Sequence, residues 1–287
     1  MTVSLAPSDL LRGFARLSLA KRAMVTVAVV VNLYLLGIIV AGFFLSDVGF
    51  DWALYREAGR RVFEGGLYNW PDTPYAFRYS PISAYLFAAL TPLGYLGWSL
   101  LHVASLAALP RRLAILALVT FPFWADVYNG NLTTFALVAA VAALSGSRFG
   151  AVALFALAVL APRPLVVPVV VWLLWKRPNL RLIFLAVFVV HLGLVVASGW
   201  GGEWLASFSR SADDFAARVD FGPARFIGVV WVPIGLALAA YLTWRGKLGF
   251  ASLAASPYWL LHYFLMLMLD MRPVAKDREV AEPRGPR

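Results

Sequence analysis

Residues 51–81 gather Asp51, Arg56, Glu57, Arg60, Arg61, Glu64 and Arg78 with the tyrosines Tyr55, Tyr68, Tyr75 and Tyr79 between two long apolar segments. So many ionisable groups beside lipid-soluble sequence mark one wall of a candidate active site at a bilayer surface. Within residues 51–64, Trp52, Tyr55, Val62 and Phe63 recur at helical spacing on one side, with Arg56, Arg60 and Arg61 more polar. That is the pattern of a helix lying in the interface. Asp51 and Tyr55 stack one turn apart on it. A carboxylate in a first turn, near the positive end of the helix dipole, stays ionised. Such a group can take a proton from a sugar or inositol hydroxyl, which makes Asp51 the candidate catalytic base. The competing reading is that Asp51 or Asp47 simply caps the helix, and position alone does not separate the two.

The elements that must position these residues follow from composition. The 287-residue chain is 61% hydrophobic and only 14% charged, with a mean hydropathy of +0.76. A single polytopic membrane domain over residues 1–270 is expected. The 11 Trp and 11 Tyr suit interfacial belts, and the +10 net charge suits Lys and Arg collected in cytoplasmic loops rather than nucleic-acid binding. With no Cys and 3 scattered His, neither a disulfide nor a thiol nucleophile can form, and no metal centre or other cofactor is expected.

Arg12, Arg16, Lys21 and Arg22 precede the apolar residues 23–45, whose length fits a spanning helix better than a signal-peptide core. The positive flank puts the amino end in the cytoplasm and residues 46–80 outside. Further apolar segments at 81–108, 112–127, 132–145, 149–161, 164–175, 181–198, 226–244 and 248–270 predict an all-α transmembrane bundle of about 8–10 spans, some broken. If each crosses once, the basic clusters Arg111-Arg112, Arg148, Lys176-Arg177-Arg181 and Arg245-Lys247 all fall inside. Residues 126–131, 162–164 and 199–225 then share the outer face with the first loop. The Ser256-Pro257 pair is expected to divide 248–270 into two half-helices. Residues 204–225 read either as an interfacial helix over the acceptor site or as a solvated charged surface, and 271–287 as a disordered charged tail.

After the first-loop helix come Gly65-Gly66-Leu67-Tyr68 and Tyr75-Ala76-Phe77-Arg78-Tyr79-Ser80-Pro81. The order Asp-x-x-x-Tyr, Gly-x-x-Tyr, Phe-x-Tyr-x-Pro resembles glycosyltransferase family 87, the polyprenyl-phosphate-mannose-dependent mannosyltransferases of the membrane C-type glycosyltransferase superfamily. Three later segments extend the resemblance over most of the chain. Asn129-Gly130-Asn131-Leu132-Thr133 stands where the family has Gly-Gln-Val-Asn. Ala161-Pro162-Arg163-Pro164-Leu165 stands for a Lys-Pro-type turn and keeps its cation in Arg163. Ser256-Pro257-Tyr258-Trp259-Leu260-Leu261-His262-Tyr263 is similar to Ser-Pro-x-Ser-Trp-x-His-His and keeps one His of the pair.

The resemblance implies a C-type glycosyltransferase architecture and inverting, metal-independent transfer of a hexose, mannose in the family. The donor would be a polyprenyl-phosphate-linked sugar and the acceptor an outer-leaflet glycolipid or glycan, with the protein in the cell membrane and its site on the extracytoplasmic face. Asp51 would act as base, Arg163, Arg78 and His262 would hold the donor phosphate, and Tyr55, Tyr68, Tyr79, Asn129 and Asn131 would line the substrate site. The chemistry suits the residues on its own terms. A phosphate leaves without a protonated acid, so one carboxylate can suffice where most glycosidases need two, and fixed cations lower the barrier. The chain has neither a Rossmann nor a P-loop glycine pattern.

Plainer readings compete. Arg163 can snorkel to lipid phosphates, and Asn129 and Asn131 can merely end one helix and start the next. Asp126 is a second-choice carboxylate, while His102 and His191 read as packing or interfacial residues. The functional alternative is a non-catalytic membrane protein that binds or transports a polyprenyl phosphate or glycolipid. A transporter is expected to show an internal repeat with paired broken helices, and none is clear here.

Overall fold

Backbone N–H and C=O groups in hydrocarbon have no water to bond, so apolar sequence of this kind must satisfy them within helices. The computed structural model describes residues 14–45, 48–69, 77–209 and 222–271, and every regular element among them is an α- or 3₁₀-helix. Helix α1 is Leu19–Leu45, and α2, the first-loop helix, is Phe50–Glu64. Next come α3 (Pro81–Leu90), α4 (Gly94–Ser105), α5 (Arg111–Leu118), α6 (Phe121–Asn129), α7 (Thr133–Leu144), α8 (Arg148–Leu160), α9 (Val167–Lys176) and α10 (Leu180–Ser198). The chain closes with α11 (Gly201–Ser209), α12 (Ala224–Ile227), α13 (Trp231–Trp244), α14 (Leu248–Ala255) and a 3₁₀ segment, Leu261–Asp270.

Four helical stretches are long and apolar enough to cross a membrane: Leu19–Leu45, Pro81–Ala108, Leu180–Ser198 and Ala224–Trp244. Between them lie the shorter apolar helices Thr133–Leu144, Arg148–Leu160, Pro164–Lys176 and Leu261–Asp270. A large core runs through α6–α10, α14 and the last 3₁₀ segment around Phe123, Leu137, Phe155, Leu173, Leu265 and Met266. A second core surrounds α2, where Trp52, Tyr55, Val62, Tyr68, Phe77, Phe87 and Trp98 close on one another.

Two predicted spans leave helical geometry part-way along. The predicted segment 112–127 is two helices, because Pro122 sits in the first turn of α6 and Thr120 before it is extended; proline starts a helix more readily than it continues one. The segment 248–270 breaks at Ser256-Pro257 as expected, with Ser256 extended before the proline. Its second half winds as 3₁₀ rather than α.

The reading of α2 needs one correction. Trp52, Tyr55, Ala58, Gly59 and Val62 are buried, whereas Phe63 is 71% exposed, because one residue beyond Val62 turns a side chain by about 100°. The apolar stripe of α2 covers α3 and Trp98 of α4 rather than lipid. Small residues permit this approach: a Cβ on Gly59 would lie 2.7 Å from the Ala88 nitrogen. The proposed interfacial helix over 204–225 is described only in part, since residues 210–221 lie outside the described set, as do 272–287 of the tail.

The break between α5 and α6 is filled from α1. Asn32 Nδ2 donates to the Val119 carbonyl at 3.1 Å, and its Oδ1 accepts from the Phe121 N–H at 2.9 Å. Helix α1 buries only Ile39, and it is seated by this amide together with the edge-on contact of Phe43 with Tyr128 at 5.3 Å. Asn32→Leu leaves both backbone groups without their partner and is expected to cost about 1–3 kcal/mol, measured as the shift in detergent unfolding followed by tryptophan fluorescence.

Candidate active site

Asp51 lies in the first turn of α2, two positions after a different residue that caps it. The N-cap is Gly49, with φ 75° and ψ 41°, and its N–H donates to the Tyr128 carbonyl at 2.8 Å. The Asp51 carboxylate accepts from Asn131 Nδ2, so it turns toward another part of the fold. Asn131 stands in the turn joining α6 to α7, after Gly130 at φ 72°. A Cβ on Gly130 would meet that of Trp52 at 2.8 Å, so only glycine lets this turn press against α2. Trp98 Nε1 fixes the turn from α4 by donating to the Gly130 carbonyl at 2.8 Å, while its ring stacks on Trp52 with centroids 5.1 Å apart.

Arg163 arrives from the opposite side. Prolines on both flanks hold residues 161–163 out of helix, and Arg163 itself is extended at φ −124°, ψ 130°. Ser80 N–H donates to the Leu160 carbonyl at 2.9 Å, which draws Tyr79 alongside Arg163. The Arg163 side chain does not reach outward to snorkel; it is 8% exposed. Its Nη1 donates to Asn131 Oδ1, and Nη2 donates to the Tyr79 hydroxyl and to that of Tyr55 at 3.3 Å. Its guanidinium carbon lies 5.1 Å from the Tyr79 ring centre.

Asp51, Asn131 and Arg163 thus form a carboxylate–amide–guanidinium chain. The orientation of the amide is dictated by charge: reversed, it would set oxygen against carboxylate and N–H against guanidinium. Asn131 Oδ1 also accepts from Leu132 N–H at 2.7 Å and Thr133 Oγ1 at 3.2 Å; the N-cap of α7 is Leu132, so Asn131 does not fill the helix-starting role expected of it. Arg163 lines a small recess, with room for about one water molecule, together with Leu132, Ala136, Leu157, Leu165 and Val166. Asp51 does not line that recess.

The other sequence candidates divide. Tyr55 and Tyr79 belong to the cluster, as their Arg163 bonds show. Tyr68 is buried behind it, donating to the Tyr79 carbonyl at 2.8 Å; burial pushes its phenol up, with Glu203 adding to the shift. Arg78 contributes its carbonyl, which accepts from Trp204 Nε1 at 3.1 Å. Asn129 turns back on its own helix and donates to the Ala125 carbonyl at 2.8 Å, the helix-ending role. His262 is buried within electrostatic reach of Arg163, yet both its ring nitrogens lack a hydrogen-bond partner among the described residues. His191 packs edge-on to Trp204, as a packing residue should.

His102 is more than packing. Its Nε2 lies 2.6 Å from the Asn131 carbonyl, its Nδ1 2.9 Å from that of Trp98, and Asp126 Oδ2 stands 3.7 Å away. Asp126 also accepts from the Thr134 N–H at 2.7 Å, holding the start of α7. The signal available in sequence was an ionisable side chain inside an apolar span, which needs a partner.

On the outer side of α2, Arg60 and Arg61 hold Glu57. Arg61 also donates to the Asn69 carbonyl at 3.0 Å, tying the following loop to the helix. The Arg60 hydrogen bond, with that of Arg61, holds the Glu57 carboxyl down to about 2 from an ordinary value of 4.5. A depressed carboxylate stabilises above its unfolded value and loses that contribution as pH falls through the folded one, here between 4.5 and about 2. A carbon-13 titration of labelled glutamate should therefore give Glu57 a midpoint near 2, and Arg61→Ala should raise it. No family model matches this chain, and no curated protein or solved structure is significantly similar to it.

Proposed function

We propose that this membrane protein is an inverting hexosyltransferase of C-type architecture. It would take a sugar, mannose by the resemblance, from a polyprenyl-phosphate-linked donor and pass it to an outer-leaflet glycolipid or glycan. The observation that carries this reading is the chain from Asp51 through Asn131 to a buried Arg163 beside an apolar recess. It sets a base and a cation in one site, the two charges the reaction needs. Asp51 removes the acceptor proton as that oxygen attacks the anomeric carbon; the bond from that carbon to the phosphate oxygen breaks, and the phosphate leaves with the electron pair. Arg163, supported by Tyr55 and Tyr79, stabilises the charge gathering on the departing phosphate. The bundle crosses the cell membrane about 8–10 times, with the shorter helices as broken or tilted crossings and the site at the extracytoplasmic face.

A second reading has its own support: the recess lies on Arg163, and Asp51 is not part of its lining. A protein that only holds or moves a lipid phosphate needs the cation and the recess, not the base.

Purified protein given radiolabelled polyprenyl-phosphate-mannose and a membrane lipid extract is expected to yield a labelled glycolipid. Asp51→Asn keeps the shape and the contact with Asn131 while removing the base. It should lower turnover by on the order of 10²–10⁴-fold with donor binding retained. Donor binding without any labelled product from the unaltered protein would favour the lipid-holding reading.

A further inference from the structure

Behind the candidate site, His102 of α4 meets only oxygen. Its Nδ1 faces the Trp98 carbonyl at 2.9 Å and its Nε2 the Asn131 carbonyl at 2.6 Å. A carbonyl can only accept, and a neutral imidazole has one N–H and one bare lone pair. Both contacts are hydrogen bonds only if the ring carries two N–H groups. The countercharge is at hand, since Asp126 Oδ2 lies 3.7 Å from Nε2 and both side chains are fully buried. A buried charge without such a partner is costly. The rest of the ring is enclosed by aromatic faces, Trp98 at 5.4 Å and Phe135 at 4.5 Å between centres. Among the described residues, His262 from the last 3₁₀ segment lies within electrostatic reach of His102, and Tyr55 of α2 within that of Asp126.

We propose that His102 and Asp126 form a buried imidazolium–carboxylate pair that acts as a positioning device for Asn131, and through it for Asp51 and Arg163. The pair grips the turn at two points. His102 holds the Asn131 carbonyl, while Asp126 accepts from Thr134 N–H three residues later. The Asn131 N–H is held as well, by the Asp126 carbonyl at 3.0 Å. With its main chain fixed on both sides, the Asn131 side chain has one place to put its amide. Neither His102 nor Asp126 bonds to Asp51 or Arg163 directly, so both act through the asparagine. The effect on transfer rests on the proposed function; the charge state of His102 does not.

The test uses full-length protein in lipid nanodiscs with ¹⁵N-labelled histidine. The chain holds 3 His, so His191→Gln and His262→Gln variants assign the remaining signal without touching His102. Near neutral pH both ring nitrogens of His102 should give protonated-type shifts with directly attached hydrogens. One protonated and one bare nitrogen overturns the proposal. Asp126→Asn removes the countercharge, and His102 should then show a neutral ring; a ring still doubly protonated would mean that Asp126 is not its partner. For positioning, His102→Phe should lower turnover by on the order of tenfold to a hundredfold with KM for the donor little changed, and unchanged turnover overturns that half. If the unaltered protein transfers no sugar, the nitrogen spectra still decide the pairing.

Discussion

One carboxamide joins two opposite charges inside this bundle, and much of the local structure is arranged so that it can. A guanidinium as buried as that of Arg163 is stable only if its hydrogens find acceptors and its charge finds compensation. Asn131 supplies the acceptor and, through its other end, the link to Asp51. A direct Arg–Asp pair would neutralise both groups against each other. The amide bridges them instead, and the cation faces a small recess; the proposed reaction would use the carboxylate as its base.

Four separate stretches converge to build this chain, each delivered by a local backbone feature. The left-handed Gly130 lets the α6–α7 turn approach α2, and the absent side chain of Gly59 lets α2 lie on α3. Proline on both sides of Arg163 ends α8 and leaves its side chain pointing inward. The bond from Ser80 to Leu160 sets the Tyr79 strip beside it. Aromatic stacking then locks the assembly, with Tyr55 parallel to Phe87 at 4.2 Å and Trp52 on Trp98 at 5.1 Å. Those rings carry the positional precision that an electrostatic site requires.

Much of this was legible in the residues alone because it is local. Hydropathy and the positions of Pro and Gly located the helices, the Ser256-Pro257 break and the helix bearing Asp51. Arg163, Tyr55, Tyr79 and Asn131 were all singled out and all meet. What sequence could not show is pairing over long separations. Nothing near Asn32 announces that it fills a gap at Val119 and Phe121, and nothing near His102 announces the carbonyl of Asn131. Phe63 and Asn129 went the other way, since periodicity cannot resolve a boundary position on a helix face, nor motif order tell a site amide from one bonded to its own helix. The split of 112–127 was likewise hidden by continuous apolar sequence, with Pro122 the sole mark of it.

The most direct measurement of the central claim, that Asp51, Asn131 and Arg163 act as one unit, is a double-mutant cycle on unfolding free energy between Asp51→Asn and Arg163→Gln. Asn131 bridges the two residues, which also feel each other's charge, so a coupling energy of about 1 kcal/mol or more is expected, and it should fall when the cycle is repeated on Asn131→Ala. Additive effects within about 0.3 kcal/mol in the presence of Asn131 would contradict the account.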